Sequence, residues 1–438
     1  MKRAFILGVA SCAVACQTPN PTQPAPQTAA AEVPAEPVAT ASPFEDAQQR
    51  VCAGVEGPCT LTELRPAGDA DNRLYVAEVA FVENPDPQKS WKYPNYESED
   101  QCNPWALFLV DTKSTEPPRA LAYLCNDGYG ASGVGEDSWE VTGGRLTMSQ
   151  NGGSNWRWAQ SKTIDLVANT LVRQGADNYF ATSPNDGEQQ DMDFETLTLK
   201  ASWFVWPCGT AEDTSQEFHA LSIPRLALPA AFTAEGWKAT SIADCSTRLD
   251  AAEGGFVIHG ERSSAQDTRM NVVASGNTLF VEVMDDTLVA SASGKWIHGD
   301  HLEVWASAEE PSKMEMDCVD LSQKGKAWQW GVDALTGAVT EAYGKPPFKL
   351  VAEHAPFAGG VRFKVTLPPD ARSVTVVYSD SDDGKKQERL LSTSAFKFAT
   401  VQTMGNMTDI NAKYLTCAVA SGKLAKTLTP MPPVENLP

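Results

Sequence analysis

Residues 279–307 read LFVEVMDDTLVASASGKWIHGDHLEVWAS, and the reading of this stretch decides the fold. An apolar/polar alternation of period two ends at Met284 and a second begins at Leu302, the signature of strands with one face buried and one wet. The connection holds Asp285, Asp286, Trp296 and Asp300. Loops at the end of a sheet are where binding residues concentrate. Carboxylate oxygens suit calcium, which takes six to eight oxygen ligands. An exposed indole offers a flat apolar face and one N–H donor, a surface on which a pyranose ring can stack.

The same alternation recurs on both sides. Thr278–Met284, His301–Trp305, Val361–Leu367 and Ser373–Tyr378 follow it in the second half, and Leu74–Val82, Trp105–Val110 and Arg145–Ser149 are short β-branched and aromatic runs in the first. Gly, Asn and Asp turns separate them, no long window carries a helical stripe, and no fixed-period repeat occurs. The expectation is an all-β chain of two jelly-roll-like β-sandwich domains. Prolines and polar residues between Pro207 and Pro229 place a boundary near residue 212, giving a β-rich domain of unknown function over 46–211 and a second sandwich over 212–425. Residues 426–438 read as a disordered tail.

The first residues, MKRAFILGVASCAVAC, pair two basic residues with an apolar run too short to span a bilayer, the anatomy of a secretory signal over 1–15. Ala13-Val14-Ala15-Cys16 resembles a bacterial lipobox; Val9-Ala10-Ser11-Cys12 fits the same pattern with a better first residue but a very short apolar run before it, and cleavage there would strand Cys16 as an odd thiol, which favours Cys16 as the lipidated residue. Cleavage before Cys16 leaves an even set in the body: Cys52, Cys59, Cys102, Cys125, Cys208, Cys245, Cys318 and Cys417. An even set suits an oxidising compartment, and eight cysteines allow 105 pairings. Short separation favours Cys52 with Cys59 and Cys102 with Cys125, leaving Cys208 with Cys245 and Cys318 with Cys417. The chain has five histidines and no CxxC, so disulfides are favoured over zinc. From Cys16 to residue 45 the composition is mostly Pro, Ala, Thr and Gln, a tether that cannot bury a core. The expected location is the bacterial cell envelope, lipid-anchored at the outer membrane on its periplasmic or surface face. With 56 acidic and 35 basic residues and a net charge of -21, nucleic acid is excluded as a partner of the body and the membrane is reached only through the anchor.

Four segments carry a family resemblance: Leu279-Phe-Val-Glu-Val-Met-Asp-Asp286, Gly299-Asp-His-Leu-Glu-Val304, Val361-Arg-Phe-Lys-Val-Thr-Leu-Pro368 and Tyr378-Ser-Asp-Ser-Asp-Asp-Gly384. Over roughly residues 225–418 the chain resembles the family-nine carbohydrate-binding modules and their wider, DOMON-like superfamily. The resemblance implies a jelly-roll-like sandwich that binds poly- or oligosaccharide between aromatic side chains, with structural calcium, and that accompanies an enzyme without being one. Asp285 and Asp300 fall on acidic positions of the pattern and are candidate calcium ligands; Glu303 does too but lies within a strand. Asp380, Asp382 and Asp383 form a second oxygen-rich loop, or an ordinary polar turn. Trp296, Trp328 and Trp330 are the available ring faces, and core packing competes for each.

In the first half, Cys125–Trp139 and Gln150–Trp158 combine glycines with Tyr129, Trp139, Trp156 and Trp158, readable as a glycan or peptide platform or as hairpin turns and core aromatics. Catalytic signatures are lacking: no GxSxG, HExxH, Walker loop or dinucleotide fingerprint occurs. Ser394–Lys397 satisfies SxxK at chance level, and His298 with His301 make a weak metal pair. Two alternatives remain beside saccharide binding: a structural or interaction lipoprotein without a sugar ligand, and a glycoside hydrolase whose carboxylate pair lies within 46–211.

Overall fold

The computed structural model describes residues 42–53, 59–81, 91–93, 96–98, 104–125, 136–153, 155–180, 183–205, 216–250, 254–261, 268–309, 327–395 and 404–431. The leader and most of the tether, Cys16, Cys102, Cys208, Cys318, Tyr129 and Lys397 lie outside the described residues. The chain is mostly β, as the alternating runs predict.

The first half builds two main sheets beside a two-stranded hairpin, Trp91–Tyr93 with Tyr96–Ser98. One orders its strands Cys59–Pro66, Leu74–Phe81, Pro104–Asp111 and Arg119–Cys125, and the other is a seven-stranded antiparallel meander from Glu136–Thr142 to Gln216–Leu221. Leu74, Val76, Trp105, Leu107 and Leu121 of the small sheet share a core with Leu146, Met148, Ile164, Leu171 and Leu199 of the meander. The opposite face of the small sheet, with Val79, Phe108 and Val110, is covered by Ala47 and Val51 of a helix, Pro43–Cys52. That helix begins inside the stretch read as tether. Its start is written in the sequence: Ser42 and Glu45 form a reciprocal capping box, with Pro43 at the first helical position.

The second half is a sandwich of two larger sheets. The first orders Val351–Phe357, Gly360–Thr366, Thr278–Asp285, Thr268–Ser275, Ile223–Arg225 and Met407–Asp409. The second orders Phe256–His259, Arg389–Ser392, Ser373–Asp380, His301–Ser307, Ala327–Asp333 and Val339–Tyr343. Val272, Val281, Val283 and Phe363 from one layer meet Leu302, Val304, Trp330 and Val376 from the other. Chain transfer from the meander to this sandwich occurs at Ser222, between Gln216–Leu221 and Ile223–Arg225, later than the composition break near 212.

The expectation of one wet face fails for the central strand Thr278–Asp285, which is buried on both sides. The short helix Ala230–Ala234, the 3-10 turn Gly236–Lys238 and the hairpin Leu415–Ala420 with Lys423–Leu428 supply Phe232, Trp237, Leu415 and Leu424 to a layer that also holds Val273 and Phe280. That layer is continuous with the core of the first half. Glu282 therefore sits on an outward position yet is fully buried, 2.8 Å from Arg362 Nε and accepting from Ser241 at 2.7 Å. The hairpin carries the chain to Leu428, past the point where a tail was expected, and Met431 N–H donates to the Asn169 carbonyl at 2.6 Å.

Cys52 pairs with Cys59 as short separation suggested. The pairing of Cys245 is corrected: its partner is Cys417, across a sequence separation of 172, which also removes Cys417 from the expected bridge to Cys318. The turn Ala243–Cys245 packs on the Leu415 hairpin, a contact that linear spacing does not encode.

Candidate functional site

Two loops interlock at one end of the second sandwich. The connection after Asp285 folds back so that Asp300 N–H donates to the Val289 carbonyl at 2.9 Å, and Ala292 N–H donates to the Gly384 carbonyl at 2.8 Å. Gly384 has φ +69°, and a Cβ there would lie 2.3 Å from the Ala290 carbonyl oxygen, so only glycine lets the Ser381–Gly384 turn close on its neighbour.

This closure gathers Asp285, Asp300 and Asp380, each buried, with one carboxylate oxygen apiece inside a mutual 4.8 Å. Asp285 accepts from the Tyr378 hydroxyl at 2.7 Å and from Thr287 N–H at 2.9 Å. Asp300 accepts from Val289 N–H and from Ser381 N–H at 2.7 Å. Asp380 accepts from the Thr268 hydroxyl at 2.8 Å and from Arg389 at 2.6 Å. Burial pushes Asp300 up to about 8; the N–H of Val289 opposes the rise, and the charges of Asp285 and Asp380 add to it. Burial likewise raises Asp285. Three buried carboxylates facing one guanidinium leave an excess of negative charge that either protons or a cation must offset. Oxygens bound to one calcium at 2.3–2.6 Å stand at most about 5 Å apart, so the spacing of this trio fits the ion.

The DSDDG segment thus divides. Asp380 joins the carboxylates of the first loop, whereas Asp382 and Asp383 are exposed on the turn and stand outside the cluster. Asp383 caps the turn by accepting from Lys385 N–H at 2.8 Å. The reason is period two followed by a reversal: Asp380 is the last residue of its strand and the next residues leave the sheet.

Beside the cluster, the outward face of His301–Ser307 carries a polar and aromatic band. Glu303, 5% exposed, accepts from Gln329 Nε2 at 2.7 Å and from Trp305 Nε1 at 3.2 Å on one oxygen. Its other oxygen lies 3.3 Å from His301 Nε2 and 3.3 Å from Gln387 Nε2. His301 donates its Nδ1–H to the Gly299 carbonyl at 2.7 Å. Burial raises the Glu303 carboxyl, but the hydrogen bond and charge of His301, with the donors Trp305 and Gln329, outweigh it and hold the group below the ordinary carboxylate range. Half-buried Trp305 meets Tyr343 at 5.7 Å, with ring planes 44° apart. Trp296 stands edge-on to His301 at 4.6 Å, and its ring fills the space a side chain on Gly331 would need.

The predicted ring faces therefore separate. Trp296 borders the band. Trp330 is sealed in the sandwich core 5.3 Å from Phe348, and Trp328 packs edge-on to the same Phe348 at 5.5 Å. Trp330 stands opposite Val304 and Trp328 opposite Ala306, so both side chains share the inward positions, while Gln329 between them faces Glu303. Sequence reasoning passed over Trp305, Tyr343, Gln329 and Gln387. The alternation in HLEVWAS already puts Glu303 and Trp305 on one face, but only the register adds the partners. His298 and His301 do not converge: His298 Nδ1 contacts the Ser293 hydroxyl at 2.8 Å, and the carboxylate trio is the one metal-competent cluster found among the described residues.

No family model matches the sequence, and no curated protein matches it. Among solved structures, a family-nine carbohydrate-binding module from Caldicellulosiruptor kristjanssonii in complex with glucose is 11% identical, over 43% of this chain and 94% of that chain, with a TM-score of 0.31. A family-nine module from the same organism in complex with cellotriose is 11% identical, over 37% of this chain and 88% of that chain, with a TM-score of 0.27.

Proposed function

We propose that the protein is an exported lipoprotein, anchored through Cys16 in the bacterial cell envelope, whose second sandwich binds a poly- or oligosaccharide on the outward face of the His301–Ser307 sheet. The observation that carries this reading is the Glu303 network: one buried, ionised carboxylate organises Trp305, Gln329, Gln387 and His301 beside the Trp305–Tyr343 ring pair. Sugar recognition needs flat apolar surface for the ring carbons and fixed donors and acceptors for the hydroxyls, and both occur here within one sheet face. Trp296 borders the far end. Trp328 and Trp330 hold the inner layer and take no part in contact.

Calcium belongs to this proposal as a structural ion. Asp285, Asp300 and Asp380 would hold it, locking the two loops that position Trp296 and His301. The chemistry it supplies is charge neutralisation of a buried acidic trio.

A glycan array probed with the full chain, with and without chelator, tests the reading. Binding to at least one saccharide, weakened by Trp305→Ala, is expected. Uniform silence of the array for the wild-type chain would overturn it.

A further inference from the structure

The meander of the first half carries a second candidate site that the sandwich reading does not use. Its outward face and the Gly255–Phe256 edge of the other half enclose a trough of about 1050 Å³. Side chains from successive strands line its floor by register: Ser149 lies opposite Ser161, Ser161 opposite Gly175, Gly175 opposite Asp191 and Asp191 opposite Lys200. The next row runs through Asn151, Asp177, Gln189, Ser202 and His219. We propose that this trough is a second saccharide site, taking an uncharged oligosaccharide chain laid across the strands.

Three features support that chemistry. Hydroxyl and amide side chains each offer donors and acceptors together, which is what a polyhydroxylated ligand requires. The charges nearly cancel: Arg173 binds Asp191 through two contacts of 2.6 Å, which leaves acidic Glu140 and Asp177 against Lys200, an excess of one negative charge. A trough without a field of one sign favours neither phosphate nor a metal ion. An extended peptide would seek a free sheet edge or a row of apolar pockets, whereas the inner strands of this floor are paired on both sides and Phe256 on the wall offers one flat apolar ring for a sugar face.

Gly175 is the structural key. It lies in a regular strand, and a Cβ there would approach Ser161 Oγ to 2.7 Å, so its bareness keeps the floor level. Asp177 accepts from Gln189 Nε2 at 3.4 Å, and burial raises its carboxyl above the ordinary range, consistent with a partly enclosed position.

Titration calorimetry on the full chain carrying Trp305→Ala isolates the trough from the sandwich face. The probes are cellohexaose, xylohexaose, mannohexaose and laminarihexaose. Binding of at least one is expected to persist in this background, to weaken tenfold or more on adding Gly175→Val, and to weaken at least fivefold on adding Gln189→Ala, which removes an exposed amide from the floor without adding bulk. Silence of all four probes in the Trp305→Ala background overturns the proposal, whatever the wild-type chain does on the array. Binding that survives both added substitutions overturns it as well.

Discussion

Trp305 donates its indole N–H to Glu303 across 3.2 Å while its ring meets Tyr343 at 5.7 Å. One residue thus joins the polar network to the aromatic surface. Trp305→Ala should weaken saccharide binding about tenfold or more, ~1.4 kcal/mol, with a smaller fall in melting temperature than a core substitution because the ring is only partly buried. Trp330→Ala should behave oppositely, costing about 3–5 kcal/mol of stability through a core cavity. Paired binding and thermal-melt measurements on the two variants check this; equal loss of binding at equal stability cost would show that the face is structural.

The carboxylate trio gives a pH-dependent signature. Asp300 is raised from 3.8 to about 8, so the folded state binds its proton more tightly than the unfolded chain. In chelator, that contribution to stability is complete below pH about 4 and disappears as pH rises through about 8. Calcium should reverse the slope, because the ion needs the ionised carboxylates. Melting curves from pH 5 to 8.5 with calcium and with chelator test the sign. Coincident curves would mean that no ion binds the trio.

Asp300→Asn should raise metal-free stability near pH 8 and abolish the calcium-dependent increase in melting temperature. Asp383→Asn, on the exposed turn, should leave that increase intact. Calorimetric calcium titration of the two variants separates the buried cluster from the turn beside it.

Glu282 and Arg362 form a buried pair beneath the hairpin that ends the body. Arg362→Ala strands a carboxylate with no exposure and should cost about 3–5 kcal/mol. Denaturant unfolding measures it, and a loss below about 1 kcal/mol would show that the pair adds little to the buried layer.

The Cys245–Cys417 bridge closes a separation of 172 residues and should contribute about 2–5 kcal/mol. Non-reducing peptide mapping should recover Cys245 linked to Cys417 and Cys52 linked to Cys59. Recovery of Cys208 linked to Cys245 would reject the bridge.

The sequence by itself determined the local chemistry. Period-two alternation pointed to a mainly β chain, and the two acidic segments were legible as oxygen-rich, whereas the helix capped by Ser42 and Glu45 begins in a stretch read as tether. The alternation and the acidic segments are properties of neighbouring residues, set by the pleat of a strand and by turn geometry. Tertiary structure decided what depends on contacts between distant segments. The covering helix and hairpin turned a half-wet strand into one buried on both faces, with Glu282 inside. Loop closure at Gly384 sent Asp380 to Asp285 and Asp300 but left Asp383 on the surface. Strand register sealed Trp330 and brought Gln329 to Glu303, because one step along a strand moves a side chain from one face to the other.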